Sequence, residues 1–217
     1  MVSCRPLPHI WRPLPHTMNL PNKLTLSRFG LTVVFLWLMF WPSVVPWRYT
    51  LALGFFCLAG ITDFLDGRIA RSRNLITSFG ILMDPLADKI MTCSAFIAFV
   101  ESTHQQPGAP VKLGAWMVVV IVARELAITG LRLLAASKNV ILAAERYGKH
   151  KTISQIVAII ALLVLQAQVE WPGQVQDFLT PWVAGFTRAC LWLTVALTSI
   201  SGIIYLWRNR SLYLDDL

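Results

Sequence analysis

The chain has 217 residues, of which 56% are hydrophobic and 14% charged, and its formal net charge is +8. This balance is typical of one membrane domain and excludes an ordinary soluble fold, in which about a quarter of the residues are charged. The positive charge does not indicate nucleic acid, because the basic residues border apolar segments instead of forming one soluble patch. Attraction to anionic lipid headgroups is the simpler explanation.

Residues 1–17 are predicted to be a disordered extension. They contain a near-repeat, Arg5-Pro6-Leu7-Pro8-His9 and Arg12-Pro13-Leu14-Pro15-His16. Prolines at this density prevent a stable helix, and the apolar core of a signal peptide is missing. Met18 is therefore a candidate for the true start, and a proline-rich docking motif is the alternative function of the extension.

Residues 18–28 predict an amphipathic helix that lies in the membrane interface. Asn22 is a suitable helix cap, and Asn22, Thr25 and Arg28 recur every three residues, which places them on one helix face. Such a helix would precede the turn into the first membrane span. A capped helix end with a snorkelling arginine is the alternative.

Six apolar segments predict an all-α membrane domain over residues 29–207, followed by a tail at 208–217. The predicted spans are 29–47, 48–71, 80–100, 113–136, 152–169 and 179–207. The first has no charge over 19 residues, which is enough to cross a bilayer. The cysteines Cys4, Cys57, Cys93 and Cys190 have no paired spacing, so they predict neither a disulfide framework nor a zinc site.

The basic residues predict the orientation of these spans. Most of the 19 Lys and Arg residues border the N-terminus, the connections at 68–79 and 137–151, and the C-terminus. Only Arg48 and Lys112 border the opposite connections. By the positive-inside rule both termini face the cytoplasm, and so does the end of the bundle that carries the first cluster of aspartates.

That cluster consists of four aspartates on the second and third predicted helices. Asp63 and Asp66 share one helix face, and Asp84 and Asp88, four residues apart, share another. Carboxylates that converge at membrane depth need cations, and oxygen-only ligands favour Mg²⁺ or Mn²⁺. A pair of ions about 4 Å apart is the arrangement used in phosphoryl transfer. Solvated loop carboxylates are the alternative interpretation.

Small and basic residues lie beside the aspartates. Gly67 and Ala70 remove side-chain bulk from the same face, so that a flat or bulky group can approach the backbone. Arg71 is available for a phosphate. Thr77 lies in the turn between the two helices, where capping the next helix and contacting a phosphate are both possible roles.

A second group of charges follows in the fourth and fifth predicted helices. Arg124, Glu125 and Arg132 lie inside an apolar run, where charged residues are candidates for function. Lys149 and Lys151 border a basic turn that would attract a phosphate. Satisfaction of Arg124 and Glu125 by other charges within the bundle is the alternative.

The aspartate stretch resembles the signature of the CDP-alcohol phosphotransferases, Asp-x2-Asp-Gly-x2-Ala-Arg-x8-Gly-x3-Asp-x3-Asp, at all of its fixed positions from Asp63 to Asp88. The resemblance implies an integral membrane enzyme that moves a phosphoalcohol-linking group from a CDP-linked donor to an alcohol and releases CMP. It extends from residue 18 to about 206. It also implies a homodimer in a bacterial cytoplasmic membrane, although no dimer face is identifiable in the sequence.

The resemblance also implies roles for individual residues. Asp63, Asp66, Asp84 and Asp88 would hold two metal ions, and Asp88 would be the general base. The residues implied to bind the CDP group of CDP-diacylglycerol are Asn22, Thr25, Arg28, Asp66, Gly67, Ala70, Arg71 and Thr77. The charges of the fourth and fifth helices resemble those of members whose acceptor is glycerol 3-phosphate, and would bind it through Arg124, Arg132, Lys149 and Lys151.

Other functions remain open at this point. Serine, inositol phosphate and phosphatidylglycerol are alternative acceptors within the family. An intramembrane prenyltransferase also uses aspartate-rich stretches and magnesium on diphosphates, and a cation carrier would bind its ion through carboxylates. The spacing of the aspartates favours the CDP-alcohol phosphotransferase family over the other two classes. Within that family, the basic residues favour an acceptor that carries a phosphate.

Overall fold

The computed structural model describes residues 20–41, 45–72, 78–106, 108–138, 147–210 and 212, and the side chains in these ranges except those of 20–25, 63–72, 78–85, 137 and 147–149. The described residues form six long helices and no strand. These helices are α1 (Leu20–Phe40), α2 (Arg48–Ser72), α3 (Ser78–Gln105), α4 (Ala115–Ser137), α5 (Tyr147–Ala167) and α6 (Gly173–Arg208). A short 3-10 turn, Gln168–Glu170, joins α5 to α6. The prediction of an all-α protein is confirmed.

The first helix differs from its prediction. α1 continues through residue 28 without a break, so the predicted boundary between an interfacial helix and the first span is not a helix end. α1 also ends at Phe40 instead of residue 47. Pro42 explains this end, since the residue before a proline is disfavoured in the helical conformation. Trp47 has a positive φ of 61° in the turn before α2. α2 itself begins at Arg48, as the sequence predicted.

The last helix begins earlier than predicted. α6 starts at Gly173, after Pro172, and contains Pro181 in its interior. The glutamines, the aspartate and the proline in its first turns are poor indicators of a membrane helix, and the sequence therefore placed its start at residue 179. At 36 residues α6 is about 54 Å long. It therefore exceeds the hydrocarbon thickness of about 30 Å.

The helices pack into one bundle. α1 packs against α2 and α3, α4 packs against α3 and α6, and α5 contacts α2, α3 and α6. Ile159, Leu162 and Leu163 of α5 are completely buried. Phe35 of α1 and Phe56 of α2 pack with ring centroids 6.0 Å apart. The core thus joins the two aspartate-bearing helices to the helices that carry the later charges.

The surface of the bundle is apolar on every long helix. One exposed apolar side chain from each of the six helices illustrates this: Val33, Leu58, Ile97, Val119, Ile153 and Ile203. An extended apolar surface of this kind suits contact with lipid. Among the described residues, His150–Glu170 and Gly173–Arg208 are long and apolar enough to cross a membrane, and shorter apolar helices span Leu26–Phe40 and Arg48–Thr62.

Candidate active site

The two helices that carry the aspartates run antiparallel. Gln106, just after α3, donates a hydrogen bond from Nε2 to the Tyr49 hydroxyl at the start of α2, at 2.6 Å. From Tyr49, the helical rise places Asp63 and Asp66 about 21 and 26 Å along α2. From Gln106, the same rise places Asp88 about 27 Å along α3, with Asp84 one turn further. The four backbone positions therefore lie in the same half of the bundle.

Most side chains of the aspartate motif lie outside the described part of the chain. This applies to Asp63, Asp66, Gly67, Ala70, Arg71 and Asp84, and equally to the predicted ligand residues Asn22, Thr25, Thr77 and Lys149. The described side chains contain no group of three or more His, Cys, Asp or Glu that could hold a metal ion. The Asp88 side chain is described and is partly buried. The candidate ligand set consists of carboxylates alone, which fits a hard divalent cation such as Mg²⁺ or Mn²⁺.

Arg28 is a buried cation in α1. Its side chain is 1% exposed, and its backbone carbonyl accepts a hydrogen bond from the Thr32 hydroxyl at 2.9 Å. A guanidinium is almost never fully buried unless it interacts with groups that satisfy its charge. Because α1 packs on both α2 and α3, Arg28 is a positive group in the interior next to the aspartate helices.

A buried carboxylate connects α4 to α5. Glu125 is 6% exposed and Lys151 is 5% exposed, and the Lys151 ammonium donates to Glu125 Oε1. The same oxygen lies 3.4 Å from Gln155 Nε2 and 3.4 Å from Arg124 Nη1. Charges at this depth persist only when they are paired and hydrogen-bonded. The contact therefore fixes the position of Lys151 and the adjoining arginine.

Arg124 extends from α4 onto the surface of α6. Its Nη2 donates to Ser201 Oγ at 3.2 Å. Its aliphatic part lies over Gly202, where a Cβ atom would be only 2.8 Å from Arg124 Cγ. A side chain larger than hydrogen at position 202 would collide with the arginine. Gly202 thus provides the space in which Arg124 lies.

Two further cations lie near Arg124, Glu125 and Lys151. Arg132 Nε lies 3.5 Å from the Tyr205 hydroxyl, with the guanidinium 5.9 Å from the ring centroid. Lys89 of α3 donates a hydrogen bond to Thr129 of α4. We refer to Lys89, Arg124, Glu125, Arg132 and Lys151 as the basic cluster, which combines four cations with one carboxylate.

The basic cluster borders the aspartates. Lys89 is the neighbour of Asp88 in α3, and its hydrogen-bond partner Thr129 donates in turn to the backbone carbonyl of Glu125. Three residues predicted to bind the acceptor, Arg124, Arg132 and Lys151, lie in this cluster. Chemically, the arrangement places excess positive charge beside carboxylates, which suits a substrate phosphate next to a metal-bound diphosphate.

The sequence did not predict that these charges contact Gln155, Ser201, Gly202 and Tyr205. A stripe of polar residues on α6 was the available signal. Its buried members are Thr187, Thr194, Thr198, Ser201 and Tyr205, which recur at intervals of three, four or seven residues in an otherwise apolar helix. On α5, Lys151 and Gln155 are four residues apart, which places both side chains on one face of the helix and was a similar signal.

Comparison with known proteins identifies the class. Residues 18–200 match the model of a family described as CDP-alcohol phosphatidyltransferase. Because the match covers most of the chain, the protein belongs to this family, in agreement with the resemblance of its aspartate motif.

Two bacterial relatives cover most of the chain. The protein is 38% identical over 201 residues to a Bacillus subtilis (strain 168) protein named CDP-diacylglycerol--glycerol-3-phosphate 3-phosphatidyltransferase, covering 88% of this chain and 95% of the relative. A relative of the same name from Shigella flexneri serotype 5b (strain 8401) is 32% identical over 204 residues, covering 91% of this chain and 98% of the relative. A cardiolipin synthase (CMP-forming) of Oryza sativa subsp. japonica is 33% identical over 159 residues, covering 70% of this chain and 47% of the relative.

Proposed function

We propose that this protein transfers the phosphatidyl group from CDP-diacylglycerol to glycerol 3-phosphate, giving phosphatidylglycerophosphate and CMP. The observation that carries the proposal is the basic cluster, which lies beside Asp88 of the aspartate motif. The relatives that are named for this reaction align with this chain over nearly their whole length. The reaction belongs to phospholipid biosynthesis.

The proposed setting is a bacterial cytoplasmic membrane crossed six times, with the aspartates and both termini at the cytoplasmic side. Two features support it: the apolar surface of all six helices and the accumulation of basic residues at one set of connections. In this setting the beginning of α1, up to residue 28, lies at the interface. We also propose a homodimer, as is common in the family.

Asp63, Asp66, Asp84 and Asp88 would hold two Mg²⁺ or Mn²⁺ ions. When bound, the ions neutralise the donor diphosphate and the CMP leaving group. Without metal, the carboxylates of these aspartates would disfavour an anionic donor beside them.

The donor nucleotide would lie along α2 and the start of α1. The residues proposed for this role are Asn22, Thr25, Arg28, Asp66, Gly67, Ala70, Arg71 and Thr77. The burial of Arg28 supports the proposal, because it places a guanidinium in the interior beside the two aspartate helices. The diacyl chains stay in the lipid beside α2 and α3.

The acceptor would be held by its phosphate at Arg124, Arg132 and Lys151, with Lys149 at the first turn of α5. This phosphate contact directs the primary hydroxyl of glycerol 3-phosphate towards Asp88. Asp88 accepts the hydroxyl proton as the oxygen forms a bond to the β-phosphorus of the donor. The bond between that phosphorus and the CMP oxygen breaks, and CMP leaves with the electron pair.

An acceptor panel tests the proposal. Membranes that contain the protein receive CDP-diacylglycerol together with glycerol 3-phosphate, serine, inositol phosphate or phosphatidylglycerol, and CMP release is measured. We expect release with glycerol 3-phosphate, and its loss when the divalent cation is chelated. The rice relative makes phosphatidylglycerol the second candidate acceptor, and CMP release with that lipid alone would replace our assignment.

The same panel separates the other reaction classes. A prenyltransferase would ignore CDP-diacylglycerol, and a cation carrier would release no CMP with any acceptor. Metal-dependent CMP release therefore excludes both. Asp88→Asn in the same membranes controls for contaminating host enzyme.

A further inference from the structure

Lys89 of α3 is the cation of the basic cluster that has no role in the proposed transfer reaction. Its side chain is partly buried, and its ammonium donates a hydrogen bond to the Thr129 hydroxyl of α4. No carboxylate among the described side chains forms an ion pair with it. A charged group within a membrane domain is costly unless an opposite charge or polar ligands satisfy it. The charge of Lys89 therefore needs an explanation beyond its contact with Thr129.

The Thr129 hydroxyl can only accept a hydrogen bond from Lys89. Its single proton is donated to the backbone carbonyl of Glu125, one turn earlier in α4, at 2.7 Å. A hydroxyl has one proton and two lone pairs, so the lone pairs remain for the ammonium. Thr129 thus holds Lys89 through a neutral oxygen. The ammonium keeps its full charge and two of its three N–H donors.

Lys151 is held in a different way. Its ammonium donates to the Glu125 carboxylate, and Glu125 and Lys151 are 6% and 5% exposed. The carboxylate therefore balances the charge of Lys151 inside the bundle. Lys89 is more accessible and is held without a counter-charge. An accessible, unbalanced ammonium is what an incoming phosphate can use.

The contact with Thr129 places this ammonium on the acceptor side of the proposed site. Consecutive residues of a helix point about 100° apart, so the side chains of Asp88 and Lys89 diverge from the same turn of α3. On α4, Glu125, Thr129 and Arg132 share one face, because they are spaced by four and three residues. α4 packs against α3 and α6, whereas the donor nucleotide is proposed to lie along α1 and α2. An ammonium held at α4 is therefore directed towards the acceptor.

We infer that Lys89 binds the phosphate of glycerol 3-phosphate and that Thr129 positions the Lys89 ammonium for this contact. The inference rests on the proposed function and adds two residues to the acceptor site. With its phosphate at Lys89 and its primary hydroxyl at Asp88, the acceptor spans two consecutive residues of one helix. The Cα atoms of consecutive residues are about 3.8 Å apart, which suits an acceptor with only three carbons.

Kinetics of CMP release by the full chain in membranes test the role of Lys89. Lys89→Met removes the charge and keeps an unbranched side chain. It should raise KM for glycerol 3-phosphate at least about tenfold, the loss expected for a hydrogen bond to a charged group, while kcat and KM for CDP-diacylglycerol change little. Inorganic phosphate offers the same group, so it should compete with glycerol 3-phosphate about tenfold more weakly in the variant than in the wild-type protein.

Two substitutions of Thr129 separate a positioning role from a purely structural one. Thr129→Asn keeps a neutral oxygen for the ammonium, whereas Thr129→Asp, of nearly the same size, supplies a carboxylate that balances its charge. We expect KM for glycerol 3-phosphate to stay within about threefold of the wild-type value in Thr129→Asn and to rise at least about tenfold in Thr129→Asp. If Thr129 only joined α3 to α4, the aspartate would join them equally well and neither variant would change KM.

Thr180→Val is the matched control for Thr129→Val. Both threonine hydroxyls donate to the carbonyl four residues earlier at 2.7 Å, but Thr180 has no cation as a hydrogen-bond partner among the described residues. Thr129→Val should raise KM for glycerol 3-phosphate about fivefold, and Thr129→Ser should restore it, because serine keeps the accepting oxygen. Thr180→Val should change neither KM value.

The outcomes distinguish this inference from the proposed function. CMP release by the wild-type protein that does not depend on glycerol 3-phosphate would overturn the proposed function and the inference with it. A normal KM in Lys89→Met, beside wild-type activity on glycerol 3-phosphate, would overturn the inference alone. Equal KM values in Thr129→Asn and Thr129→Asp would remove Thr129 as the positioning residue. A rise in KM for CDP-diacylglycerol in Lys89→Met, with no change for the acceptor, would assign Lys89 to the donor instead.

Discussion

Substitution of Gly202 by alanine tests the acceptor site through a residue that contacts no substrate. The new methyl group would lie 2.8 Å from Cγ and 3.8 Å from Cβ of Arg124. The first distance is shorter than a carbon–carbon contact, and Cγ is close to the α4 backbone, so the arginine cannot avoid the methyl group by moving only its tip. The expected response is a change of rotamer that moves the guanidinium away from Ser201 and Glu125.

The size of the expected effect on KM follows from the free-energy cost of overpacking the interior. Inserting a methyl group into a packed interior costs about 1–3 kcal/mol. If Arg124 holds the acceptor phosphate, the same displacement should raise KM for glycerol 3-phosphate by roughly 5- to 150-fold. Global stability should fall by at most about 2 kcal/mol, because the preference of a helix for alanine over glycine, about 1 kcal/mol, offsets part of that cost.

The assay measures CMP release at varied concentrations of each substrate, together with the thermal unfolding midpoint. We expect KM to rise for glycerol 3-phosphate and to stay unchanged for CDP-diacylglycerol. Gly185→Ala is the matched control on the same helix, because a Cβ atom there meets no atom within 4 Å. That variant should gain slight stability and keep both KM values.

A double-mutant cycle identifies the route of the effect. Gly202→Ala should add little to the defect of Arg124→Ala, because the residue that it displaces is already absent. Full additivity of the two defects would show that Gly202 acts on something other than Arg124. Gly202→Ala could also leave KM for glycerol 3-phosphate unchanged while Arg124→Ala raises it. That result would show that a methyl group at position 202 does not displace Arg124.

Three further substitutions test other parts of the proposal. Asp88→Asn should abolish CMP release while CDP-diacylglycerol binding, measured by equilibrium titration, stays within a few-fold; normal turnover would remove Asp88 as the base. Glu125→Gln leaves the Lys151 ammonium without its buried counter-charge and should destabilise the fold by about 3–5 kcal/mol in thermal or denaturant unfolding. Glu170→Gln removes the charge that accepts three hydrogen bonds at the start of α2 and should cost about 1–3 kcal/mol, whereas Glu101→Gln at an exposed position should cost almost nothing. Equal unfolding midpoints for Glu125→Gln and Glu101→Gln would contradict the buried pair.

The helices and the family were predictable because their signals are local. An uncharged run of 19 residues predicts a helix at 29–47 from composition alone, and the spacing from Asp63 to Asp88 is specific enough to indicate the family. The helix ends were less predictable. Pro42 shortened α1, and Pro181 did not delay α6, because a proline's effect depends on whether neighbouring packing compensates for the lost hydrogen bond.

The contacts of the basic cluster could not be predicted, because they join helices that are distant in sequence. Arg124 meets Ser201, 77 residues later, and Glu125 meets Lys151, 26 residues later. Sequence spacing indicates which residues share a face of one helix, but the partner helix and its rotation depend on tertiary packing. Gly202 is the clearest case, since a glycine in an apolar helix has no distinguishing pattern until the opposite side chain is known.

The charge balance of the basic cluster explains why a single carboxylate lies among its four cations. Without Glu125, the neighbouring cations Lys89, Arg124 and Lys151 would repel one another with no carboxylate between them. With Glu125 in contact with Lys151, and near Arg124 and Gln155, the cations keep fixed positions and an excess of positive charge remains. The phosphate of the proposed acceptor is a suitable counter-ion for this excess. Under the proposed function, acceptor binding therefore completes a charge balance that the protein leaves incomplete beside Asp88, and a neutral acceptor such as serine lacks the group to do so.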